Sequence, residues 1–434
     1  MGIKGLPKLI QDVAGNTAVR TYKFSDFKEM AISVDASLLI HQTVIAMRSD
    51  GHDLKNKKGE LTSHLQGIFY KVLMFLQNHN TPIFVFDGKA PKMKNKTLVM
   101  RSERKKTAAK KLEKLTDTTD EEYIKNFKQT FSPTKNNINE ALILLDLMGI
   151  PYIIAPKEAD VVCSWLAARR DANGKKYVKG VCSDDSDMLA LGAPYLFKDM
   201  LKFMRKNNPI KVISLNKTLT SMKLSMNQFV DMCVLMGSDY CENIKGVGPK
   251  TAYKLISEKG SLEKVIKHLK KINKLDDSDE TANNLECTIN ASNKFKNALA
   301  KIDASPNFVI TSDQLELRCY QYDELMDFMC NKHNFDPERI HNGIMRLKKY
   351  HDQMNITKEN NKKIHIINKK NGILPSYDFN KKIDIDFSDD DDATNDVSVT
   401  KDITDTNGVA ECMPSKKTSC TTNLIKSNKI QSSS

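Results

Sequence analysis

The sequence predicts an α/β fold: a mainly parallel, twisted sheet flanked by helices, interrupted by a helical insertion and followed by a disordered tail. Three observations predict it. Short, nearly continuous apolar runs alternate with stretches of helical periodicity, the pattern of parallel strands covered on both faces. Residues 92–128 break that alternation with 12 Lys or Arg against 6 acidic residues and few large apolar side chains. After Tyr350 the periodicity gives way to Asn, Lys, Asp and Ser, including an acidic run from Ser388 to Asp392.

Residues 1–91 form the first part of the core. MAISVD reads as a strand, ASLLIHQTVIAM and LQGIFYKVLMFLQ as helices, and TPIFVFDG as a second strand. Residues 92–130 are the insertion, helical but poorly buried. Residues 131–240 resume the core with PYIIAP as a strand, a helix through EADVVCSWLAARR, the strand end KGVCSDDSDMLA and further short strands. Residues 241–353 are mostly helical and contain the hairpin signal IKGVGPKTAYKLI; residues 354–434 are the tail.

Composition narrows the function. A chain of 434 residues, 40% hydrophobic, buries one large core or two ordinary ones. No run reaches the roughly 18 to 20 apolar residues of a membrane span, and the start lacks a signal-peptide layout, so an intracellular protein is expected. The nine cysteines lack the paired spacings of a zinc site and are read as reduced thiols, while Leu6 stands where a myristoylation signal needs Ser or Thr. The net charge of +13 lies wholly in residues 1–353, with 55 Lys and Arg against 42 Asp and Glu, which points to a polyanionic partner.

Acidic residues follow the apolar runs: Asp35 after AISV, Asp87 after IFVF, Glu158 and Asp160 after YIIAP, and Asp185 with Asp187 after KGVCS. In an open α/β sheet the carboxyl ends of the strands converge on one crevice. A lone strand-end Asp is more often a helix cap than a ligand. Five or six in register repel one another unless neutralised, and hard divalent cations with oxygen ligands are the usual solution. Asp185 and Asp187, two apart, are expected on one face of an extended segment, with Asp184 on the opposite face as a structural residue. Glu158 and Asp160 are expected to straddle a helix start.

The ordered strings MGIKGL, VDAS, FVFDGKAP, MRSERKK, MGIPY followed by APKEAD, SDDSDML and GSDYCENIKGVGPK resemble the flap endonucleases, structure-specific 5′ nucleases, over roughly residues 1–350. The resemblance implies hydrolysis of branched DNA with two Mg²⁺ ions, Mn²⁺ being able to substitute. Asp35, Asp87, Glu158 and Asp160 then serve one ion, and Asp185, Asp187 and Asp239 the other. Asp160 stands where the family usually has Glu. Lys94 and Arg101 match the catalytic basic residues at the foot of a helical arch, Arg104 and Lys105 continue the basic patch, and Arg48 and Lys71 match DNA contacts. Gly237 is expected to pass close to the substrate backbone. Gly246, Gly248 and Lys250 fall in a helix, two-turn, helix element that grips duplex DNA, in the family with a bound K⁺; Asn243 replaces the usual Ser there. Glu158 and Asp239 also border the DNA path. His41 replaces a Tyr that stacks on a base.

The family's sliding-clamp motif is missing from the tail, where KKIDIDFSD offers only Phe387 as an aromatic, so clamp binding stays open. The chain is expected to be a monomer, in the nucleus if cellular or at a cytoplasmic replication site if viral. Two other readings share these residues. A 5′ exonuclease or repair-bubble nuclease is disfavoured by the short insertion between Arg101 and Met148, and a noncatalytic junction-binding protein by the presence of all seven carboxylates.

Overall fold

The structure, a computed structural model, describes residues 2–89, 95–202, 209–272, 279–306 and 308–354. Lys94 and the tail from residue 355, with its acidic run and Phe387, lie outside the described residues.

Seven strands form one sheet: β1 (Val19–Tyr22), β2 (Ala31–Asp35), β3 (Thr81–Phe86), β4 (Tyr152–Ile154), β5 (Val181–Cys182), β6 (Tyr195–Lys198) and β7 (Ile210–Ser214). Their order is β1-β7-β6-β5-β2-β3-β4. The five from β6 to β4 run parallel, as expected. β7 pairs antiparallel with both β6 and β1, an edge the apolar runs did not announce. From β2 the chain builds outward through β3 to β4, then returns to the other side of β2 for β5. That reversal sets the crevice at the carboxyl ends of β2, β3 and β5.

Alternation along the central strands divides the core in two. Ile83 and Val85 of β3 join the layer containing helices Leu6–Ala18, Ala159–Ala168 and Met226–Leu235, whereas Phe84 and Phe86 join the layer containing helices Ala36–Met47, Ser63–Gln77 and Lys135–Leu147. Both faces of β3 are therefore buried, which is why its sequence reads as a continuous apolar run.

The insertion forms two helices, Asn95–Leu112 and Glu121–Gln129, with most of its described side chains exposed or half-buried. The second half of the chain adds helices Pro249–Lys259, Leu262–Lys271, Asp279–Lys296 and Pro337–Gln353. No helix among the described residues is long and apolar enough to cross a membrane.

Candidate active site

The acidic positions gather because strand ends pass directly into helix starts. Asp35 is the last residue of β2 and caps helix Ala36–Met47, accepting from Leu38 N at 3.0 Å while Ser183 Oγ donates to its other oxygen at 3.1 Å. Asp87, just past β3, accepts from Ala159 N at 2.8 Å and so joins β3 to the next helix start. Glu158 precedes that helix with extended backbone, φ −98° and ψ 132°, and Asp160 lies in its first turn, the straddling arrangement that the spacing predicts.

Asp185 and Asp187 arrive differently from expectation. β5 ends at Cys182, and the next residues turn rather than extend. Asp185 N donates to Ser183 Oγ at 3.1 Å, Asp187 N donates to Asp185 Oδ1 at 2.9 Å, and Asp187 opens the short helix Asp187–Ala190. The turn, not strand alternation, brings the two acids together. Asp184 is directed elsewhere, accepting from Gln42 Nε2 and Asp199 N, each at 2.7 Å.

The amino terminus closes one side. Ile3 N donates to Asp187 Oδ1 at 2.8 Å, and Gly2 has φ +79°. A Cβ on Gly2 would stand 2.0 Å from Asp185 Oδ1, so a larger residue must displace that carboxylate or the segment, at a positive φ that favours glycine. Asp239 enters on a tight turn held by Ser238 N to Cys241 O at 3.0 Å. Arg101 Nη2 lies 2.6 Å from its carboxylate, and Thr97 Oγ1 donates to its backbone oxygen at 2.7 Å, so the foot of the arch is tied to the crevice at two points.

The acids share one electrostatic field. Burial first, then the charges of Asp87 and Asp185, push the Asp35 carboxyl up to about 7 against the hydrogen bonds from Leu38 and Ser183. Burial, with Asp35, Asp160 and Asp87 adding to it, raises the Cys163 thiol well above its ordinary value. The Tyr240 phenol is likewise raised by burial and by Glu158, with smaller contributions from Asp160 and Asp187. Among the described residues, no three His, Cys, Asp or Glu side chains close into a ready coordination cage. These carboxylates are instead fixed by backbone amides, hydroxyls and two basic side chains.

Two of those partners escaped the sequence. The Tyr240 hydroxyl lies 2.8 and 2.9 Å from the two oxygens of Glu158, and Lys294 Nζ lies 2.5 Å from Glu158 Oε2. Tyr240 adjoins Asp239 in GSDYC and could have been flagged. Lys294, 136 residues from Glu158, sits in an unremarkable helical segment and carries no local signal.

The expected DNA contacts divide. Arg104 and Lys105 are exposed on the arch, Arg104 lining a cleft of about 1070 Å³ between its two helices. His41 is half-buried, its ring 5.9 Å from Phe131, and burial and the nearby charges of Arg101 and Arg48 lower its pKa. Gly246 and Gly248 leave open space where a Cβ would stand, Gly248 directly precedes helix Pro249–Lys259, and Lys250 is exposed. Asn243 is exposed nearby. Gly237 has φ +90°, and a Cβ there would meet Asn243 N at 3.0 Å, which by itself accounts for glycine.

Arg48 and Lys71, the other two expected DNA contacts, are largely buried in the chain without DNA. Arg48 is buried, pairs through Nε and Nη2 with Asp53 at 2.7 and 3.0 Å, and gives Nη1 to Phe127 O at 2.8 Å, so it anchors the arch helix Glu121–Gln129. Lys71 is also buried, donating to Lys202 O at 3.0 Å, and burial brings its pKa down to about 8. Both side chains are turned into the protein.

Known proteins agree with this architecture. Residues 1–108 match the XPG N-terminal domain, 149–239 the XPG I-region, and 224–323 the C-terminal SAM fold of 5′-3′ exonucleases, which together place the chain among the 5′ nucleases. Flap endonuclease 1 of Homo sapiens is 37% identical over 352 residues, covering 80% of this chain and 87% of its own. That of Vanderwaltozyma polyspora is 39% identical over 356 residues, covering 80% and 88%. The solved flap endonuclease-1 from Methanococcus jannaschii superposes with a TM-score of 0.56 at 27% identity, covering 77% of this chain and 97% of its own. The catalytic core of Rad2 in complex with DNA substrate shares the fold, with a TM-score of 0.55 at 24% identity over 80% of this chain and all of its own. The chain belongs to the flap endonuclease family and is a structure-specific nuclease of 5′ flaps.

Proposed function

We propose that this nuclease hydrolyses the phosphodiester near the base of a 5′ flap with two Mg²⁺ ions, Mn²⁺ being able to substitute, and that it also trims 5′ ends exonucleolytically. The observation that carries the metal reading is the crevice at the ends of β2, β3 and β5, where strand ends and helix starts hold Asp35, Asp87, Glu158, Asp160, Asp185 and Asp187, and where burial and the charges of Asp87 and Asp185 raise the Asp35 carboxyl. Excess negative charge on hard oxygen donors fits divalent cations of this kind. Asp35, Asp87, Glu158 and Asp160 would hold one ion and Asp185, Asp187 and Asp239 the other, Asp160 reaching a methylene less far than Glu. When bound, the ions supply an activated water and a clamp on the oxygens of an in-line displacement.

The chain supplies the rest. Arg101, which lies at Asp239 in the crevice, and Lys94 supply the positive charge that meets the charge developing on the scissile phosphate during displacement. Arg104 and Lys105 attract the flap along the arch. His41 presents an imidazole to a base. The loop at Gly246 and Gly248 offers backbone N–H groups to a duplex phosphate ahead of helix Pro249–Lys259, and its carbonyl oxygens would hold a K⁺ there.

Cleavage of a labelled double-flap DNA tests this, run with Mg²⁺, with EDTA, and with Asp185→Ala beside nicked, bubble and blunt substrates. We expect a product cut near the flap base only with metal, and loss of cutting by at least about a hundredfold in Asp185→Ala while flap binding persists. Undiminished cutting in EDTA would overturn the metal reading. Equal loss of binding and rate in Asp185→Ala would overturn its role.

A further inference from the structure

A lysine from a distant helix reaches Glu158 in the crevice. Lys294 Nζ lies 2.5 Å from Glu158 Oε2 and 3.6 Å from the centre of the Tyr240 ring. The pair is largely withdrawn from water, with side-chain exposures of 19% for Lys294 and 6% for Glu158. An ammonium held between a carboxylate and an aromatic face in such surroundings interacts far more strongly than a surface pair.

The helix that delivers it, Asp279–Lys296, is pinned on both sides of Lys294. Ser292 Oγ donates to the buried Asp231 at 2.6 Å and Lys296 Nζ lies 2.5 Å from the same carboxylate, which also accepts from Leu262 N at 3.2 Å. Between them the buried Phe295 packs edge-on against Tyr240, ring centres 5.4 Å apart. The ammonium is thus delivered by a fixed element, and its position is not that of a freely rotating surface side chain.

We propose that Lys294 is a specificity-determining residue for the divalent ion, because its ammonium on Oε2, added to the Tyr240 hydroxyl that lies 2.8 and 2.9 Å from the two oxygens of Glu158, keeps that carboxylate from presenting both oxygens to a single cation. Ca²⁺ takes six to eight oxygens and readily accepts bidentate carboxylates, whereas Mg²⁺ takes single carboxylate oxygens and keeps several waters. A Glu158 committed through Oε2 therefore disfavours Ca²⁺ more than Mg²⁺. The added positive charge also weakens attraction for either ion. The inference rests on Glu158 being a ligand, as proposed above.

The test is calorimetric titration of Mg²⁺ and of Ca²⁺ into the full-length protein without DNA, for the wild type, Lys294→Met, Lys294→Gln and Lys294→Arg, with melting temperatures recorded alongside. In Lys294→Met and Lys294→Gln we expect both ions to bind more tightly, Ca²⁺ gaining about fivefold more than Mg²⁺, while Lys294→Arg stays within about twofold of the wild type. A purely structural lysine would lower the melting temperature and leave the Ca²⁺ to Mg²⁺ ratio unchanged, and that result in whichever neutral variant folds overturns the proposal. Absence of any divalent binding to the wild type would overturn the metal reading itself, a failure distinct from an unchanged ratio.

Discussion

Gly2 illustrates how one residue can govern this site without any reactive group of its own. Its positive φ and the 2.0 Å that a Cβ would leave to Asp185 Oδ1 mean that the N-terminal segment is fitted to the carboxylates. Gly2→Ala must displace either the segment or Asp185, and Ile3 N, which bonds Asp187, moves with it. Displacements of about 1 Å near reacting groups cost up to a hundredfold in rate, so single-turnover flap cleavage should fall at least about tenfold with little change in melting temperature. A rate within twofold of the wild type would show that the crevice tolerates the shift. The same residue marks a limit of reading sequence alone: MGIKGL was recognisable as a string, yet its position against Asp185 and Asp187 is set by folding across more than 180 residues. Asp35, Asp87 and Glu158 were legible because an acid after an apolar run already has a place in an α/β fold. Lys294 was not, since its role comes from a partner 136 positions away.

At the scale of elements, the arch is attached through a residue that the sequence had assigned to DNA. The Arg48 guanidinium uses Asp53, Phe127 O and Thr130 Oγ1 together and stacks over the Phe127 ring at 4.2 Å. The family resemblance places Arg48 at DNA, and residue type alone shows neither its burial nor its aromatic partners some 80 positions away. Removing one partner of a buried pair costs about 3 to 5 kcal/mol, and here the loss falls on one attachment. Arg48→Ala should therefore speed amide hydrogen exchange in helix Glu121–Gln129 while leaving helix Lys135–Leu147 protected. It should weaken flap binding without changing the salt dependence, since no phosphate contact is removed. A salt slope reduced by about one, with unchanged exchange in that helix, would return Arg48 to the DNA surface. The antiparallel edge of β1 and β7 carries a weaker signal for a related reason: VRTY and IKVIS mix exposed polar residues with buried ones and lack the continuous apolar run of the central strands.

For the whole molecule, the acidic crevice and the buried histidines oppose each other as pH changes. Burial holds the His351 imidazole down to about 4 and lowers that of His333 as well, so the folded chain binds these protons less tightly than the unfolded one. Their contribution to stability is complete above about 6.5 and is lost as pH falls towards 4. Asp35 works the other way. Its folded value of about 7 lies above the ordinary 3.8, so its contribution is complete below 3.8 and is lost as pH rises through about 7. In EDTA at pH 8 the ionised Asp35 therefore strains the fold, and Asp35→Asn, which retains the capping acceptor for Leu38 N, should raise the melting temperature by a few degrees. At pH 4 the gain should vanish, because Asp35 is then protonated in the folded state, leaving the variant with the steeper acid limb that the histidines dictate. An equal gain at both pH values would mean that the substitution acts through packing and that the crevice carries no uncompensated charge. Adding Mg²⁺ at pH 8 should reverse the order, stabilising the wild type more than Asp35→Asn, because neutralisation by a bound cation is open only to the chain that keeps the charge.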